Sequence, residues 1–270
     1  MATLVWPELA LPADPFHGHA LITGATSGIG LAFARALAAK RCDLVLVARN
    51  EDRLAATAVE LRNDFGVDVE ILAADLADQD GLAAVTRRFE DPAAPIETFI
   101  NCAGHGLHVS LLEQDTSTID SAHALMIRAV LILGGAAGRS MKARGHGVIV
   151  NVASVAGLIP MGAYSAIKSW VATYSESLAL ELAGSGVHVT TLMPGWVRTE
   201  FHQRAGIRTE SIPGVLWLDA DRVARDCLRD VARGRSRSVP SKLYVALTCL
   251  AEHAPRPLVR RVAAAIRGGR

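Results

Sequence analysis

A tyrosine and a lysine stand four residues apart in this chain, at Tyr164 and Lys168. In an α-helix this spacing places both side chains on one face. A tyrosine alone loses its proton at roughly pH 10, but a neighbouring ammonium group stabilises the phenolate and lowers that pKa. The pair could therefore donate or accept a proton near neutral pH. Considered alone, a chance pair on an amphipathic helix is the commoner explanation of this spacing.

A serine precedes this pair, at Ser154 in the segment Asn-Val-Ala-Ser-Val-Ala-Gly of residues 151–157. Its hydroxyl could donate a hydrogen bond to a carbonyl oxygen and help to polarise it. By itself it would be an ordinary loop serine. Ser154, Tyr164 and Lys168 together form the candidate catalytic set for proton transfer at a carbonyl or an alcohol.

A glycine-rich turn follows the first apolar run, in the segment Thr-Gly-Ala-Thr-Ser-Gly-Ile-Gly of residues 23–30. Glycines allow a tight turn, and the N-terminus of the helix that follows presents free N–H groups to an anion such as a pyrophosphate. Glycines also mark ordinary turns, so the position between a strand and a helix carries the argument. The candidate cofactor contacts in this turn are Gly24, Ser27, Gly28, Ile29 and Gly30.

An arginine occupies the end of the second predicted strand, in Ala48-Arg49-Asn50. A carboxylate at this position would bind a ribose 2′-hydroxyl and favour NAD, whereas an arginine pairs with the 2′-phosphate of NADP. We favour phosphate recognition by Arg49 over an ordinary exposed arginine.

Further cofactor contacts are expected where the third and fourth strands end. Asp75 and Leu76 follow the third strand, where a side chain could reach the adenine edge. Asn101, Ala103 and Gly104 follow the fourth, where small residues let the main chain pass close to a ligand. Each signal is weak alone, and their agreement at successive strand ends is stronger.

These residues require an alternation of strands and helices to position them. The apolar runs predict strands at 19–23, 44–48, 69–75, 96–101, 147–153 and 187–193. Helical periodicity after the glycine turn predicts a helix through Ile29, Phe33 and Leu37, with others at 51–64, 78–90, 117–143, 163–183 and 219–233. Such alternation implies right-handed crossovers and a mainly parallel sheet, whose ligands lie outside the carboxyl ends of the strands.

The composition excludes several other classes of protein. Among 270 residues, 28 Lys and Arg balance 27 Asp and Glu, so nothing suggests a nucleic-acid partner. The four cysteines are scattered without a CxxC pair, as in a cytosolic protein with reduced thiols, and no metal-ligand spacing occurs among the histidines. The N-terminus lacks the pattern of a secretory signal, and the apolar run 124–137 is broken by Arg128. We expect a soluble cytoplasmic protein without a metal.

The chain resembles the short-chain dehydrogenase/reductase family. The segments TGATSGIG, NCAG, ASVAG, YSAIK and PGWVRT occur in the family's order, within roughly residues 19–200. The resemblance implies a single doubly wound Rossmann-type α/β domain with a mainly parallel seven-stranded sheet at 19–240. An extension at 1–18 would precede this domain, and a helical, Arg-rich extension at 241–270 would follow it.

The resemblance also implies an activity, that of an NADP(H)-dependent oxidoreductase acting on a carbonyl or an alcohol. Tyr164 would be the general acid/base and Ser154 the carbonyl partner. Lys168 would hold the nicotinamide ribose and depress the pKa of Tyr164. Thr199 would contact the nicotinamide carboxamide, beside further cofactor contacts from Pro194 and Val197.

The sequence departs from the family's pattern at two places. Family members often carry a catalytic asparagine in the long helix after the fourth strand, and Met126 stands at the matching position. A thioether cannot make the hydrogen bonds of an amide, so a proton relay behind Lys168 would take another route, or turnover would be slow. The loop 158–163 is also a few residues shorter than in many members, as in compact bacterial members, and we expect it to lie tightly over the site.

Substrate and partners are indicated more weakly. The expected substrate lid at about 200–217 is apolar through Phe201, Ile207, Ile212, Val215, Leu216 and Trp217. This favours slightly an apolar substrate such as a long-chain acyl or steroid-like carbonyl, although the same residues could simply pack the lid. The resemblance implies a homodimer or homotetramer formed through the helices 117–143 and 163–183. The Arg-rich C-terminus could contact anionic lipid, but a solvated terminal helix is the favoured interpretation.

Two other functions are compatible with these motifs. Met126 would suit an NADP(H)-binding regulatory protein with little catalysis. An epimerase or dehydratase on the same fold would convert its substrate without net consumption of cofactor. The presence of Ser154, Tyr164 and Lys168 together favours the oxidoreductase.

Overall fold

The computed structural model of the chain describes residues 14–206 and 212–268. Most of the predicted N-terminal extension and residues 207–211 of the predicted lid, Ile207 included, lie outside the described residues. Phe16, the first aromatic residue of the described part, packs into the core with only 4% of its surface exposed. The folded body therefore begins before the first strand.

The centre of the molecule is a parallel sheet of seven strands in the order β3-β2-β1-β4-β5-β6-β9. Its strands are β1 His19–Thr23, β2 Asp43–Ala48, β3 Val69–Ala73, β4 Ile96–Asn101, β5 Gly147–Val152, β6 Val187–Leu192 and β9 Arg237–Ser238. Their near-continuous burial is typical of strands covered on both faces. The first six agree with the predicted strands to within two residues, and the fold class is confirmed.

Helices cover both faces of this sheet. They are α1 Gly28–Ala38, α2 Glu51–Phe65, α3 Gln79–Arg88, α4 Ser117–His123, α5 Ala129–Arg144, α6 Ala163–Glu181, α7 Phe201–Arg204, α8 Ala220–Ala232, α9 Lys242–His253 and α10 Arg256–Gly268. One apolar layer contains side chains of α1, α2 and α8, and the other contains those of α3, α5 and α6. Two layers around one sheet make this a doubly wound fold.

The helix predicted over 117–143 is not continuous, and this prediction was wrong in its detail. A π-helical turn at Ala124–Arg128 separates α4 from α5. The Ala129 amide donates to the carbonyl oxygen of Ala124, five residues back, which accommodates one extra residue in the turn. Such turns occur frequently at functional sites, and this one contains Met126.

By length and hydropathy, Ser117–Arg144 is the one segment among the described residues that could cross a membrane. Half of its most apolar window is buried within the protein, and Leu133, Ala137 and Met141 lie in the core layer beside the sheet. The apolar character of this segment is accounted for by that packing.

A smaller unit stands at the carboxyl edge of the main sheet. The short strands β7 Trp196–Arg198 and β8 Trp217–Asp219 pair in parallel, with α7 and a 3₁₀ turn at Gly214–Leu216 between them. Because β7 directly follows the end of β6, this unit projects over the edge where the central strands end.

Candidate active site

A cavity of about 1040 Å³ opens at the carboxyl edge of the sheet, beneath the β7–β8 unit. Sixteen of the predicted site residues line it: Gly24, Ser27, Gly28, Ile29, Gly30, Arg49, Asp75, Leu76, Ala103, Gly104, Ser154, Tyr164, Lys168, Pro194, Val197 and Thr199. The parallel sheet brings these residues together from positions up to 175 apart in the sequence because its strands all end at one edge.

Asn101 is the exception, because it does not line this cavity and its predicted cofactor contact stays a prediction. The side chain is 4% exposed, and its amide nitrogen donates to the Asn151 side-chain oxygen at 3.1 Å and to the Val130 carbonyl at 3.4 Å. Asn101 therefore joins β4 to β5 and α5 below the cavity floor. Its neighbours Ala103 and Gly104 line the cavity instead.

The glycine turn has a backbone that only glycine adopts easily. Gly28 has φ of +54°, and a Cβ at Gly30 would stand 2.2 Å from the Gly24 carbonyl oxygen. Ser27 lies at the start of α1, and its side chain makes no capping hydrogen bond. The first-turn N–H groups of α1 are thus left for a ligand, and they face a cavity large enough for a dinucleotide.

The end of β2 carries a cationic group at the cavity rim. The Arg49 side chain is 76% exposed, and its nearest carboxylate is that of Asp75, at 3.9 Å. At such a distance and exposure the ion pair is weak, so the guanidinium can be redirected to an anion. A dinucleotide with a 2′-phosphate fits this charge.

Arg53 also lines the cavity, from the first turn of α2, and was missed in the sequence. Its guanidinium donates to the Thr26 carbonyl at 3.2 Å and lies 3.5 Å from the Glu200 carboxylate. It thereby links the glycine turn to the segment leading into α7. The sequence offered one signal for it, a second cationic side chain shortly after Arg49.

Ser154, Tyr164 and Lys168 converge on the cavity from two elements. Ser154 follows β5, and its hydroxyl donates to the Pro194 carbonyl at 3.3 Å and accepts from the Ala156 amide at 3.1 Å. Tyr164 and Lys168 lie in the first turns of α6, with the lysine Nζ 5.8 Å from the centre of the tyrosine ring. The helical face expected from their spacing is therefore observed.

Lys168 is held from the sheet side. It is 6% exposed, and its Nζ donates to the Val152 carbonyl at 2.8 Å. An ammonium has three donors, so this bond orients the group while other N–H bonds stay available for a ligand. Burial lowers the pKa of Lys168 to about 8 because the interior disfavours the charged form.

The pKa of Tyr164 shifts in the direction opposite to the one expected from its lysine neighbour. Burial raises it above its usual value, while the neighbouring Ser154 side chain acts to lower it. The cost of burying the charged phenolate outweighs its stabilisation by neighbouring groups of the protein. The phenol is consequently a proton donor at neutral pH.

The space behind Lys168 is filled by Met126. This side chain is 1% exposed and packs with Leu107, Ala122 and Ile167. A Cβ at Gly104 would stand 3.2 Å from the Met126 sulfur and 3.9 Å from Lys168 Nζ. A thioether thus occupies the region beside the lysine.

Aromatic side chains give the cavity an apolar wall beside Tyr164. The Phe201 ring in α7 meets the Tyr164 ring edge to face at 5.8 Å, and the Trp196 ring lies 5.8 Å from that of Trp217. Ile212 and Leu216 also line the cavity. Val215 and Trp217 are not among the lining residues, and 74% of the Val215 surface is exposed.

Three side chains with polar rings also line the cavity and were missed in the sequence: His105, His108 and His202. The first two lie in the loop after β4, where no periodic pattern indicated a site. His202 packs against Trp196 and Trp217.

Comparison with known proteins gives one consistent family. The model of the short chain dehydrogenase family matches residues 18–209. Galactitol 2-dehydrogenase (L-tagatose-forming) from Cereibacter sphaeroides is 35% identical over 212 residues, which cover 76% of this chain and 81% of that protein.

Two solved structures share the fold over most of their length. A short-chain dehydrogenase from Sphingobium yanoikuyae in complex with NADPH is 36% identical, with a TM-score of 0.81 over 89% of this chain and 94% of that one. The bulky-bulky ketone specific alcohol dehydrogenase from Comamonas testosteroni is 30% identical, with a TM-score of 0.75 over 88% and 95%. The chain therefore belongs to the short-chain dehydrogenase family of nicotinamide-dependent oxidoreductases, which act on CH–OH and C=O groups.

Proposed function

We propose that this protein is an NADPH-dependent reductase of a bulky, largely apolar carbonyl compound, able to oxidise the matching alcohol in reverse. The observation that carries the proposal is one cavity that holds a dinucleotide-binding turn, an exposed Arg49 and the set of Ser154, Tyr164 and Lys168. A protein that only bound the nucleotide would have no need of the last three together.

The preference for NADPH rests on charge at the end of β2. Arg49 is largely exposed there and only weakly paired with Asp75, and β2 itself ends in Ala48 without a carboxylate. An arginine pairs with a phosphate through charge-assisted hydrogen bonds, whereas a ribose hydroxyl gains little from it. The related Sphingobium yanoikuyae protein was solved with NADPH.

NADPH, when bound, supplies the hydride for the carbonyl carbon. Tyr164 donates its phenolic proton to the carbonyl oxygen as negative charge develops there, so the C=O bond becomes CH–OH. The raised pKa of Tyr164 keeps the phenol protonated for this step. Ser154 donates a hydrogen bond to the same oxygen, exchanging its long 3.3 Å bond to Pro194 for it.

Lys168 has two parts in this scheme. Its remaining N–H groups would hold the ribose of the bound cofactor, and its positive charge stabilises the phenolate left after proton donation. The bond to the Val152 carbonyl fixes the ammonium in position for both. The side chain of Thr199 lies against Gly28 of the glycine turn, which supports its assignment to the carboxamide.

The substrate class is proposed from the cavity wall. Phe201, Trp196, Ile212 and Leu216 give the wall beside Tyr164 an apolar character, which suits a long-chain acyl or steroid-like carbonyl. The similar Comamonas testosteroni enzyme is described as specific for bulky-bulky ketones. The galactitol dehydrogenase shows that relatives of comparable identity also act on polar substrates.

The test is NADPH oxidation by the purified protein with bulky ketones, 3-oxoacyl thioesters and ketoses, run beside Tyr164→Phe. We expect oxidation with one of the first two classes and a loss of about 100-fold or more in kcat in the variant, with NADPH binding retained. Tyr174→Phe is the matched control: it removes a phenol from the same helix that bonds only the Leu131 carbonyl.

Each other outcome selects a different function. NADPH binding without oxidation across the panel would favour the regulatory protein. Conversion of substrate without net cofactor consumption would indicate an epimerase or dehydratase. Equal activity in Tyr164→Phe would contradict the proposed proton donor.

We also propose a homo-oligomer formed through α5 and α6. Leu131 and Leu180 leave about half of their surfaces exposed on these helices, at 49% and 52%. Members of this family often form oligomers, and light scattering on a Leu131→Asp, Leu180→Asp double variant tests whether these residues contribute.

A further inference from the structure

The last two described helices expose an unusual share of the large apolar side chains. Six of the twelve exposed large hydrophobic residues among the described side chains lie in α9 and α10. They are Leu243, Val245, Leu247, Leu250, Leu258 and Val262, with exposures from 37% to 61%. Val245 lies on the opposite side of α9 from Leu243, Leu247 and Leu250. We therefore call the other five residues the C-terminal apolar surface. Such a concentration marks an interaction site more often than isolated exposed residues do.

Helical spacing separates this surface from the side chains that hold the helices in place. In α9, Tyr244 and Thr248 are buried at 3% and 5% exposure, while Leu243, Leu247 and Leu250 follow the spacing of a second face. In α10, Val259 and Ala263 are buried, whereas Leu258 and Val262 are half exposed. Each helix therefore has one buried face and a separate exposed apolar stripe.

The charges around this surface are positive. Arg256, Arg260, Arg261 and Arg267 lie in α10, which contains no Asp or Glu. Arg256, Arg260 and Arg261 are exposed, and no ion pair is found for them among the described residues. In α9 the single carboxylate, Glu252, is paired with Arg237 at 2.6 Å.

We propose that α9 and α10 bind the surface of an anionic lipid bilayer. Leucine and valine side chains would enter the boundary between headgroups and acyl chains, and the arginines would pair with lipid phosphates. Arginine suits this position because its apolar stem can lie along the acyl region while its guanidinium stays among the headgroups.

Self-association through the same surface fits the charges less well. A two-fold interface places the same patch of both copies face to face. The unpaired arginines of two α10 helices would then approach each other without a carboxylate on α10 to neutralise them. An anionic bilayer supplies the missing charge.

Binding in this manner would bring the bilayer close to the cavity. The buried face of α9 packs on the cavity wall: the Tyr244 hydroxyl donates to the Leu216 carbonyl at 2.7 Å and accepts from the Trp196 amide at 3.0 Å. The exposed face of the same helix lies about one helix diameter away, roughly 10 Å. An apolar substrate could then enter the cavity directly from the bilayer. Substrate entry rests on the proposed function, whereas membrane binding by α9 and α10 does not.

The experiment is flotation of the full-length protein with phosphatidylcholine vesicles and with vesicles of equal parts phosphatidylcholine and phosphatidylglycerol. We expect binding to the anionic vesicles only, weakening as salt is raised. Arg260→Glu with Arg261→Glu should lower the partition coefficient about tenfold or more, and Leu247→Asp with Leu250→Asp should do the same. Leu111→Asp with Leu112→Asp is the matched control, because both leucines are exposed elsewhere at 61% and 92%.

Folding of each variant is checked by circular dichroism and by NADPH binding, a readout that does not need the unknown substrate. All of the substituted residues are exposed, so the variants keep the core intact. Equal binding to both vesicle types, or binding that neither α9 nor α10 substitutions alter, would overturn the proposal. The proposal would also be overturned if the protein did not bind vesicles and instead formed an oligomer, measured by light scattering, that the Leu247 and Leu250 substitutions dissociate.

Discussion

The ammonium of Lys168 is tied to the main chain of the neighbouring strand, with its Nζ 2.8 Å from the carbonyl oxygen of Val152. The lysine comes from α6 and the carbonyl from the end of β5, so the bond joins the two elements that carry Tyr164 and Ser154. Because the lysine is almost completely buried, its pKa is lowered to about 8. The charge on Lys168 therefore changes within the range in which an enzyme is assayed.

We predict that kcat/KM for reduction falls as pH rises through about 8, the lowered pKa of Lys168. Below this pH the ammonium is present to bind ribose and to stabilise the phenolate, and above it the charge is lost. Tyr164 cannot cause this limb, because its raised pKa keeps it protonated there. The measurement is a pH–rate profile at low substrate concentration with saturating NADPH.

The variant Lys168→Arg tests whether titration of Lys168 causes this decline in kcat/KM. A guanidinium stays charged to about pH 12 or above, so the decline near pH 8 should disappear, although the longer side chain should lower the absolute rate. A limb that persists unchanged in the arginine variant would show that another group titrates. The variant Lys142→Arg makes the same replacement at an exposed position in the last turn of α5 and should leave the profile unaltered.

The second prediction concerns cofactor choice at Arg49. Arg49→Asp should lower kcat/KM for NADPH about 10–100-fold, the value of a charge-assisted hydrogen bond, and should leave NADH turnover nearly unchanged. The ratio of the two specificity constants is the measurement. Arg225→Asp applies the same charge change to an exposed arginine of α8 away from the cavity. If the NADPH value falls equally in both variants, Arg49 has no specific role.

Much of the fold was predictable because each buried strand is a continuous apolar run bounded by turn residues. Strand β9 was not, since it has only two residues, Arg237 and Ser238, and is defined by pairing with Thr191 and Leu192. No local sequence pattern indicates so short a strand. The π-helical turn at Ala124–Arg128 was missed for a similar reason, because it depends on how the helix fits its neighbours rather than on periodicity.

The candidate site was predictable to the extent that strand ends gather at one edge. The side chain of Asn101 illustrates the limit: successive residues of a strand point to opposite sides, so the residue at the strand end bonds Val130 and Asn151 below the cavity. Arg53 was missed because its role depends on the later approach of Glu200. The pKa of Tyr164 was misjudged because spacing reveals its lysine neighbour but not the depth of burial.

A third prediction separates two helical glycines by what a methyl group would meet. Gly30→Ala would place its Cβ 2.2 Å from the main-chain oxygen of Gly24, so the turn must open at a cost of about 1–3 kcal/mol, with loss of NADPH affinity. Gly135→Ala meets only the flexible end of Arg139, at 3.4 Å. There alanine should stabilise the helix by up to about 1 kcal/mol.

Thermal unfolding distinguishes the two, since each kcal/mol shifts Tm by roughly 2–4 °C for a domain of this size class. Gly30→Ala should unfold at a lower temperature than the parent, and added NADPH should raise its Tm less. Gly135→Ala should unfold at a higher temperature and respond to NADPH like the parent. The same sign of change in both variants would contradict the assignment of Gly30 to the cofactor turn.

The last prediction decides what Met126 does beside the catalytic lysine. Its sulfur and the Lys168 ammonium both approach Gly104, yet its other neighbours Leu107 and Ile167 are apolar. If the thioether serves only to fill this space, Met126→Leu should cost less than about 1.5 kcal/mol of stability and leave kcat nearly unchanged. Met126→Asn would bury an amide among apolar side chains at a cost of about 1–3 kcal/mol. Urea unfolding with parallel kcat measurements checks both, and a kcat that rises in the asparagine variant would show instead that proton transfer through Lys168 limits turnover.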